Sequence, residues 1–442
     1  MTDFSALFIA PSAYRLGGMQ IWLHDLVSHL EINTSWRVKL ALVSGKHHCI
    51  DSYIKSFPGL PVVPVENKTG SVIGRRIAIS RLLRDLNPDL AVGVNIADLY
   101  LGANHAKPMG FGGKVVMTLH GIASDLTADA MQYSQFIDAA IATNRLSCGI
   151  LKDKTAIPEE RILYAPYGVD TSYCSSQPGF KRVNENGPLR IAWVGRVEQD
   201  QKRVWDLIPI LNELDKSCIS YHLSIAGHGP EFGAIDKVLT PWIGKGRVTV
   251  LGAISSQQLQ SQVYDTHQVL LITSSWETGP IVAWEAMASG LVVVSSSYIG
   301  SGLENALQHN HNCLLYPVGD PVGAARAILR LIDPATRDYL AFQGRILVQD
   351  RYSKEASNTS WVQALETVVR LPSLPWVDTK IHSGPSGRLD RLLGIRNAER
   401  LRQCLGSSYV HRSPGSEWPH TSNGHADDQE LFQFAKELDR RA

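Results

Sequence analysis

The sequence predicts an α/β chain made of two parallel-sheet halves and a C-terminal extension. Three observations predict it. Apolar strand-like runs alternate with helical stretches over most of the length, which is the pattern of a parallel sheet covered by helices. The chain has 442 residues, more than one hydrophobic core usually organises, so two or three units are expected. A polar stretch with Gly and Pro, from Ser175 to Pro188, interrupts the alternation and reads as a linker. The expected units are 1–180, 181–370 and 371–442.

Composition narrows the classes. Lys and Arg number 43 and Asp and Glu 42, a net charge of +1, which gives no electrostatic case for nucleic acid as a partner. The six cysteines (Cys49, Cys148, Cys174, Cys218, Cys313, Cys404) are scattered without a CxxC pair. Neither a zinc site nor a disulfide framework is indicated, and a reducing, cytoplasmic compartment fits. Met1-Thr2-Asp3-Phe4 carries an acid and only a short apolar run, unlike a signal peptide. No apolar stretch is long enough to span a bilayer.

In the first half, Ala6–Ala10 is a buried-strand run, followed by a loop from Pro11 to Gly18 and a helical stretch, Gln20–Val27. Further strands are expected at Lys39–Val43, Leu90–Val94, Lys114–Thr118 and Ala139–Ala142. Between them, Gly74–Leu86 reads as a helix whose arginines (Arg75, Arg76, Arg81, Arg84) face solvent. The second half restarts at Leu189–Val194 and continues through Leu223–Ala226 and Val248–Leu251. Val269–Ile272 and Leu291–Val294 then flank the densest motif of the chain. No solenoid repeat is present.

That motif is Ser274-Ser275-Trp276-Glu277-Thr278-Gly279-Pro280-Ile281-Val282-Ala283-Trp284-Glu285, continuing to Gly290. Pro280 suits a first helical position and Gly290 a helix stop. Glu277 then lies in a loop and Glu285 in a helix, separated along the axis by several ångströms at about 1.5 Å per residue. Such a pair suits an extended polyol, one acid for each end. The helix start offers unpaired amides and a partial positive charge to an anion. Pro280 has no N–H, so the donors are Thr278, Gly279 and Ile281. The plain alternative is a strand-loop-helix with two incidental acids.

The pattern resembles the E-x7-E signature of retaining glycosyltransferases of the GT-B fold, especially glycosyltransferase family 4. The resemblance implies two Rossmann-like domains facing across a cleft, with ligands beyond the carboxyl ends of the strands. It implies that Glu285 holds the ribose of a nucleotide-sugar and that Glu277 contacts the transferred sugar. The chain departs from the family at Thr278, where a small residue is usual, and at Gly279, where a larger apolar one is. After Ile191–Val194 come Gly195-Arg196 and then Lys202-Arg203. The family's cations at these places bind the donor diphosphate, where fixed positive charge stabilises a leaving phosphate without a metal. Ile225-Ala226-Gly227-His228-Gly229 resembles the family's glycine turn, with His228 incidental. Leu251–Ser255 resembles the loop beside the base, placing Ile254 there. Ser297–Glu304 and Asn312–Pro321 resemble the turns that complete the domain, and as a dinucleotide fingerprint the former fails at Asn305. In the first half, Gly17 and Gly18 match a glycine loop that approaches the diphosphate and acceptor. His120 matches a histidine near the sugar's reacting carbon, and Pro166–Asp170 matches a structural turn near the domain junction.

The resemblance covers about residues 5–370. Beyond it, Gly387–Gly406 reads as an amphipathic helix with Leu389, Leu392, Leu393, Leu401 and Leu405 beside Arg388, Arg391, Arg396, Arg400 and Arg402. It suits an anionic membrane or, equally, packing on the first half. Ser407–Asp428 is polar, and Gln429–Arg441 reads as a short closing helix.

The expected activity is metal-independent, retaining transfer of a sugar, of hexosyl type, from a nucleotide-sugar to a hydroxyl of a glycan or lipid-linked acceptor. The family's usual setting is surface polysaccharide or glycoconjugate assembly, on the cytoplasmic face of a membrane. No cofactor beyond the donor is implied. A sugar-nucleotide epimerase or phosphorylase on the same fold, and a non-catalytic nucleotide-sugar-binding subunit, remain alternatives.

Overall fold

Strand β1 (Ser5–Pro11) is almost wholly buried and pairs in parallel with β2 (Arg37–Val43) on one side and β4 (Leu90–Val94) on the other. This is a computed structural model, and it describes residues 4–11, 18–43, 50–65, 69, 71–122, 124–172, 187–375, 388–406 and 428–441. With β3 (Val62–Pro64), β5 (Lys114–Leu119), β6 (Ala139–Ala142) and β7 (Ile162–Tyr164), these strands form a seven-stranded sheet of order β3-β2-β1-β4-β5-β6-β7. A second sheet holds β8 (Leu189–Val194), β9 (Tyr221–Ala226), β10 (Val248–Gly252), β11 (Val269–Ile272), β12 (Val292–Ser296) and β13 (Cys313–Tyr316), in the order β10-β9-β8-β11-β12-β13. All its pairings are parallel. Strands covered on both faces need no polar alternation, which is why Val269–Ile272 and Val292–Val294 read as unbroken apolar runs.

The chain divides into two compact units, residues 1–165 with 358–433, and residues 166–357 with 434–442. The sequence sets the junctions at 180 and 370 instead. The first shift follows from the Pro166–Asp170 turn, where the Val169 amide donates to the Tyr352 carbonyl at 2.8 Å and the Ser357 hydroxyl donates to the Pro166 carbonyl at 2.8 Å. The second follows from the helix Lys354–Arg370, whose buried Trp361 packs on Trp22 with ring centroids 4.6 Å apart.

Two strands, β3 and β7, have three residues each and are shorter than periodicity resolves, and β13 lies within the stretch Asn312–Pro321 that reads as a turn. Two of the arginines expected in solvent are not there. Arg75 and Arg76 are buried, and their Nε atoms donate to the two oxygens of Asp98 at 2.7 and 3.1 Å. The amphipathic segment is two helices, Arg388–Leu393 and Ile395–Leu405, because Gly394 takes a left-handed φ of 72° between them. Gly387 and the polar stretch 407–427 lie outside the described residues. The closing helix is present as Asp428–Asp439.

Candidate active site

In the second sheet the strand order reverses between β8 and β11, and in open parallel sheets ligands bind beyond the carboxyl ends at such a point. The loop after β8 carries Gly195, Arg196, Gln201 and Lys202, and the loop after β11 carries Ser274, Glu277, Thr278 and Gly279.

Glu277 is only 5% exposed. Lys202 Nζ donates to its Oε1 at 2.5 Å, Ser274 Oγ donates to the same oxygen at 2.5 Å, and Gln201 Nε2 donates to Oε2 at 3.2 Å. A buried carboxylate persists only when paired and hydrogen-bonded in this way. The partner loop is fixed in turn. The amides of Gln201 and Lys202 donate to the buried Glu198 carboxylate at 3.0 and 2.7 Å. Trp193 Nε1 donates to Thr273 Oγ1 at 3.0 Å, and that hydroxyl donates to the Lys202 carbonyl at 2.5 Å. Arg196 is exposed and has no ion-pair partner among the described residues.

The following helix, Ile281–Ala288, begins after a left-handed Gly279 with φ of 110°. Pro280 is its N-cap rather than its first helical residue, because its ψ of 92° is extended although its φ of −69° would suit a helix. A proline cap has no side-chain oxygen to offer, so the amides of Gly279 and Ile281 have no acceptor among the described residues. Thr278 lies in the same turn. The helix ends as the sequence indicates. Gly290, at φ of 86°, donates to Met287 O at 3.0 Å, and Leu291 donates to Ala286 O at 2.9 Å, which is the Schellman pattern. Glu285 is the fifth residue of this helix, just past its first turn, where the Tyr264 hydroxyl donates to its Oε2 at 2.8 Å. Burial raises the Glu285 carboxyl above its ordinary pKa, and the Tyr264 bond opposes that rise.

The glycine turn after β9 serves close approach. A Cβ on Gly227 would fall 1.8 Å from the Gly195 carbonyl oxygen, and one on Gly229 would fall 2.3 Å from that of Val197. The turn therefore packs backbone to backbone beneath the loop that bears Arg196 and Lys202. His228 stacks on Phe232, with ring centroids 4.8 Å apart. Ile254 is partly buried against the core that includes Tyr264, Ala283 and Ala286.

A profile of the family "Glycosyl transferases group 1" matches residues 188–334, the span that holds β8, β11 and both glutamates. Residues 188–334 form a glycosyl transferases group 1 domain. The chain is also 24% identical, over 252 residues, to the lipopolysaccharide 1,6-galactosyltransferase of Escherichia coli K12. That match spans 56% of this chain and 66% of the relative, just under two thirds of the relative's length. Among solved structures, the apo form of the lipopolysaccharide outer core galactosyltransferase WaaB superposes with a TM-score of 0.65 at 18% identity, covering 82% of this chain and 99% of that one. Anabaena HepE in complex with UDP and glucose superposes with a TM-score of 0.64 at 16% identity, covering 82% and 100%. At these identities the likeness is one of fold, which is GT-B.

The other expected residues belong to the first unit, not to the group 1 domain. Gly17 lies outside the described residues, and Gly18 opens the helix Gly18–Asn33. His120 follows β5, its ring 4.5 Å from that of Trp22 between centroids. Thr118 Oγ1 donates to the Gly93 carbonyl at 3.0 Å, so the 2.8 Å contact between His120 Nε2 and Thr118 Oγ1 assigns the ring proton to Nε2. Burial pushes the His120 pKa down to about 3, and the ring is neutral.

Sequence reasoning missed three residues that bond Glu277 or Glu285 directly, Gln201, Ser274 and Tyr264, and Glu198, which fixes the loop bearing Gln201 and Lys202. Ser274 stands three positions before Glu277, a spacing at which a hydroxyl reaches a carboxylate, so a signal existed. Tyr264 lies 21 positions before Glu285 and gave none. Among the described residues, no three His, Cys, Asp or Glu side chains gather as a metal site.

Proposed function

We propose that the chain is a retaining, metal-independent glycosyltransferase that moves a sugar from a nucleotide-sugar to a hydroxyl of a glycan or lipid-linked acceptor, in surface polysaccharide or glycoconjugate assembly. The observation that carries this reading is the Lys202–Glu277 pair at the strand-order reversal of a group 1 domain, beside a helix start with uncapped amides. Glu277 engages hydroxyls of the transferred sugar. The amides of Gly279 and Ile281, with Thr278, face the phosphates. Arg196 and Lys202 stabilise the charge that builds on the diphosphate as the glycosidic bond breaks, which is the work a metal does elsewhere. Glu285 accepts from the ribose hydroxyls, and Ile254 lies against the base. His120, as a neutral ring, hydrogen-bonds the sugar near its reacting carbon, and Gly17 and Gly18 let the backbone approach the acceptor. The leaving phosphate takes the acceptor's proton.

The galactosyltransferase relative and the UDP complex of HepE make UDP-hexoses the first donors to try. Binding to the native state raises stability by mass action, so a thermal-shift screen of nucleotide-sugars ranks the donors. Product analysis with and without acceptor then separates transfer from epimerisation or phosphorolysis. If no nucleotide-sugar shifts the transition, the reading fails.

The two helices Arg388–Leu393 and Ile395–Leu405 supply the membrane partner of this reading. Leu392 is 81% and Leu405 69% exposed, and Arg388, Arg391, Arg396 and Arg400 are exposed beside them. Arg402 is not part of that face: it is buried and donates to Asp390 at 2.7 Å. Glu399 anchors the opposite face, accepting from the hydroxyls of Thr69 and Ser71 at 2.5 and 2.7 Å. Leucines outward among arginines suit the headgroup zone of an anionic bilayer. Among the described residues no helix is long and apolar enough to cross a membrane.

A further inference from the structure

From the contacts of Asp439 we infer that it is a positioning residue for Glu277, an inference that rests on the donor-site reading above. Asp439 ends the C-terminal helix Asp428–Asp439, 139 positions from Gly300, and its carboxylate sits in the turn after β12. Oδ2 accepts from the amides of Gly300 and Gly302 at 2.8 and 3.2 Å, and Oδ1 accepts from the amide of Leu303 at 2.8 Å. Three convergent amides form a concavity suited to one anion, and here the chain supplies the anion itself. The fit is close on both sides. Gly300 has φ of 108°, and a Cβ on Gly302 would fall 2.4 Å from the Asp439 carbonyl oxygen. A side chain at 302 would expel the C-terminal residues.

The turn is coupled to the site by backbone. The Ile299 amide donates to the Ser275 carbonyl at 3.0 Å, and the Glu277 amide donates back to the Ile299 carbonyl at 3.1 Å. Glu277 therefore hangs from the residue immediately before Gly300. The far end of the turn is held by Glu304, which accepts from the Tyr352 hydroxyl at 2.7 Å and from Arg351 at 3.1 Å. Between those two anchors the turn has local bonds of its own, the Ser301 hydroxyl and amide donating to the Tyr298 carbonyl at 2.6 and 3.1 Å, and Asp439 is the distant side chain that takes up the amides of Gly300, Gly302 and Leu303. Without it those three amides lose their acceptor, and we expect the turn to loosen and the Ile299–Glu277 backbone link to loosen with it.

The test compares Asp439→Asn, Gly302→Ala and the double variant by amide hydrogen exchange and by calorimetry with UDP and with the UDP-sugar that the thermal-shift screen selects. The expected result is faster exchange at the Glu277 amide as well as at residues 300–303. Nucleotide-sugar affinity should fall by roughly three- to tenfold, as for couplings carried through packed elements, with UDP affinity unchanged. The double variant should be no worse than Gly302→Ala, because both break one contact. Faster exchange confined to residues 300–303 with unchanged donor affinity would overturn the inference, as would equal loss of UDP and donor affinity. Should either variant fail to fold, the other carries the same comparison. If the wild type binds no nucleotide-sugar, the functional reading falls while the Glu277 amide still decides whether Asp439 positions it.

Discussion

Lys202 Nζ lies 2.5 Å from Glu277 Oε1, and through that contact the loop after β8 and the loop after β11 hold each other in place. Each charge is the other's compensation in a largely buried setting: the side chains are 18% and 6% exposed. Removing one member leaves the other uncompensated, which costs about 3–5 kcal/mol for a buried pair. Lys202→Met should therefore destabilise the protein more than Glu277→Gln, since glutamine can keep its oxygen toward Lys202 and Ser274, and its Nε2 then opposes only the neutral Gln201 amide. Chemical denaturation of the two variants measures the order.

The same pairing sets what Glu277→Gln does to ligands. Under the proposed assignment, with the carboxylate neutralised, the Lys202 ammonium is no longer shared, and its full charge would face an incoming diphosphate. Nucleoside diphosphate binding should hold or tighten while turnover falls by orders of magnitude, because the sugar has lost its charged acceptor. Calorimetry with UDP checks the first half, and weakened UDP binding by a folded variant contradicts the assignment of Glu277 to the sugar.

Glu285 should show stability and function pulling apart. Burial raises its folded pKa, so its contribution to stability is fully present below the unfolded value and is lost as pH rises through the folded one. Above the folded value the ionised, partly buried carboxylate is a cost. Glu285→Gln removes that cost and keeps an acceptor for the Tyr264 hydroxyl. Its melting temperature at pH 8 should match or exceed that of the wild type. Donor and free diphosphate should both bind more weakly, by about 1.5–3 kcal/mol per lost bond to a charged acceptor. Unchanged diphosphate affinity would remove Glu285 from the ribose.

How much of this was legible in the sequence depends on the range of each contact. Strand, loop and helix around Glu277 and Glu285 are local, and apolar runs with Pro280 and Gly290 placed them to within a residue. The parallel strands of both sheets were legible because burial on both faces leaves continuous apolar runs; β3 and β7 escaped because three residues carry no such run, and β13, as long as β6 and β11, lies within the stretch Asn312–Pro321 that reads as a turn. Long-range partners left no trace: Tyr264 beneath Glu285, and Asp439 across from Gly300. Helical periodicity grouped Arg402 with the exposed arginines because it reports polarity, and a buried ion pair with Asp390 is as polar as solvent. Arg75 and Arg76, paired with Asp98, were misassigned for the same reason.

His120 should be silent in any pH profile near neutrality. Its folded pKa of about 3 lies below the unfolded value of 6.5, so the native state prefers the neutral ring. Its share of stability is present above pH 6.5 and is lost as pH falls from there toward 3. NMR titration of the ring should show no midpoint above pH 5, and His120→Asn should not remove a limb of the rate profile between pH 6 and 8. A ring midpoint near 6.5 would show that the site is wetter than the packing of Trp22 and Trp361 implies.

Arg196 differs from Lys202 in being exposed and unpaired among the described residues, so its loss should cost little stability. Its work under the proposed mechanism is in the transition state, where charge on the departing diphosphate peaks. Arg196→Ala should keep the wild-type melting temperature and lower turnover at saturating donor. Activity of the wild type should survive chelator. Loss of activity in chelator, restored by magnesium or manganese, would replace the metal-free mechanism.

The proposed membrane face can be separated from the fold because the opposite side of the two helices is buried against other residues. Glu399 and Arg402 are buried with Thr69, Ser71 and Asp390, so deleting the segment would disturb the first unit. Arg391, Arg396 and Arg400 are exposed, and reversing them leaves those contacts alone. Each basic residue near an anionic surface contributes roughly 1 kcal/mol, so the triple change to Glu removes several kcal/mol of attraction and adds repulsion. The variant should melt as the wild type does and keep its nucleotide-sugar affinity. It should no longer co-sediment with vesicles containing phosphatidylglycerol. Leu392→Ser with Leu405→Ser should weaken sedimentation while preserving its salt dependence, since those residues supply buried area rather than charge. Unchanged sedimentation of the charge-reversed variant, folded and in low salt, would assign the arginines to some other partner.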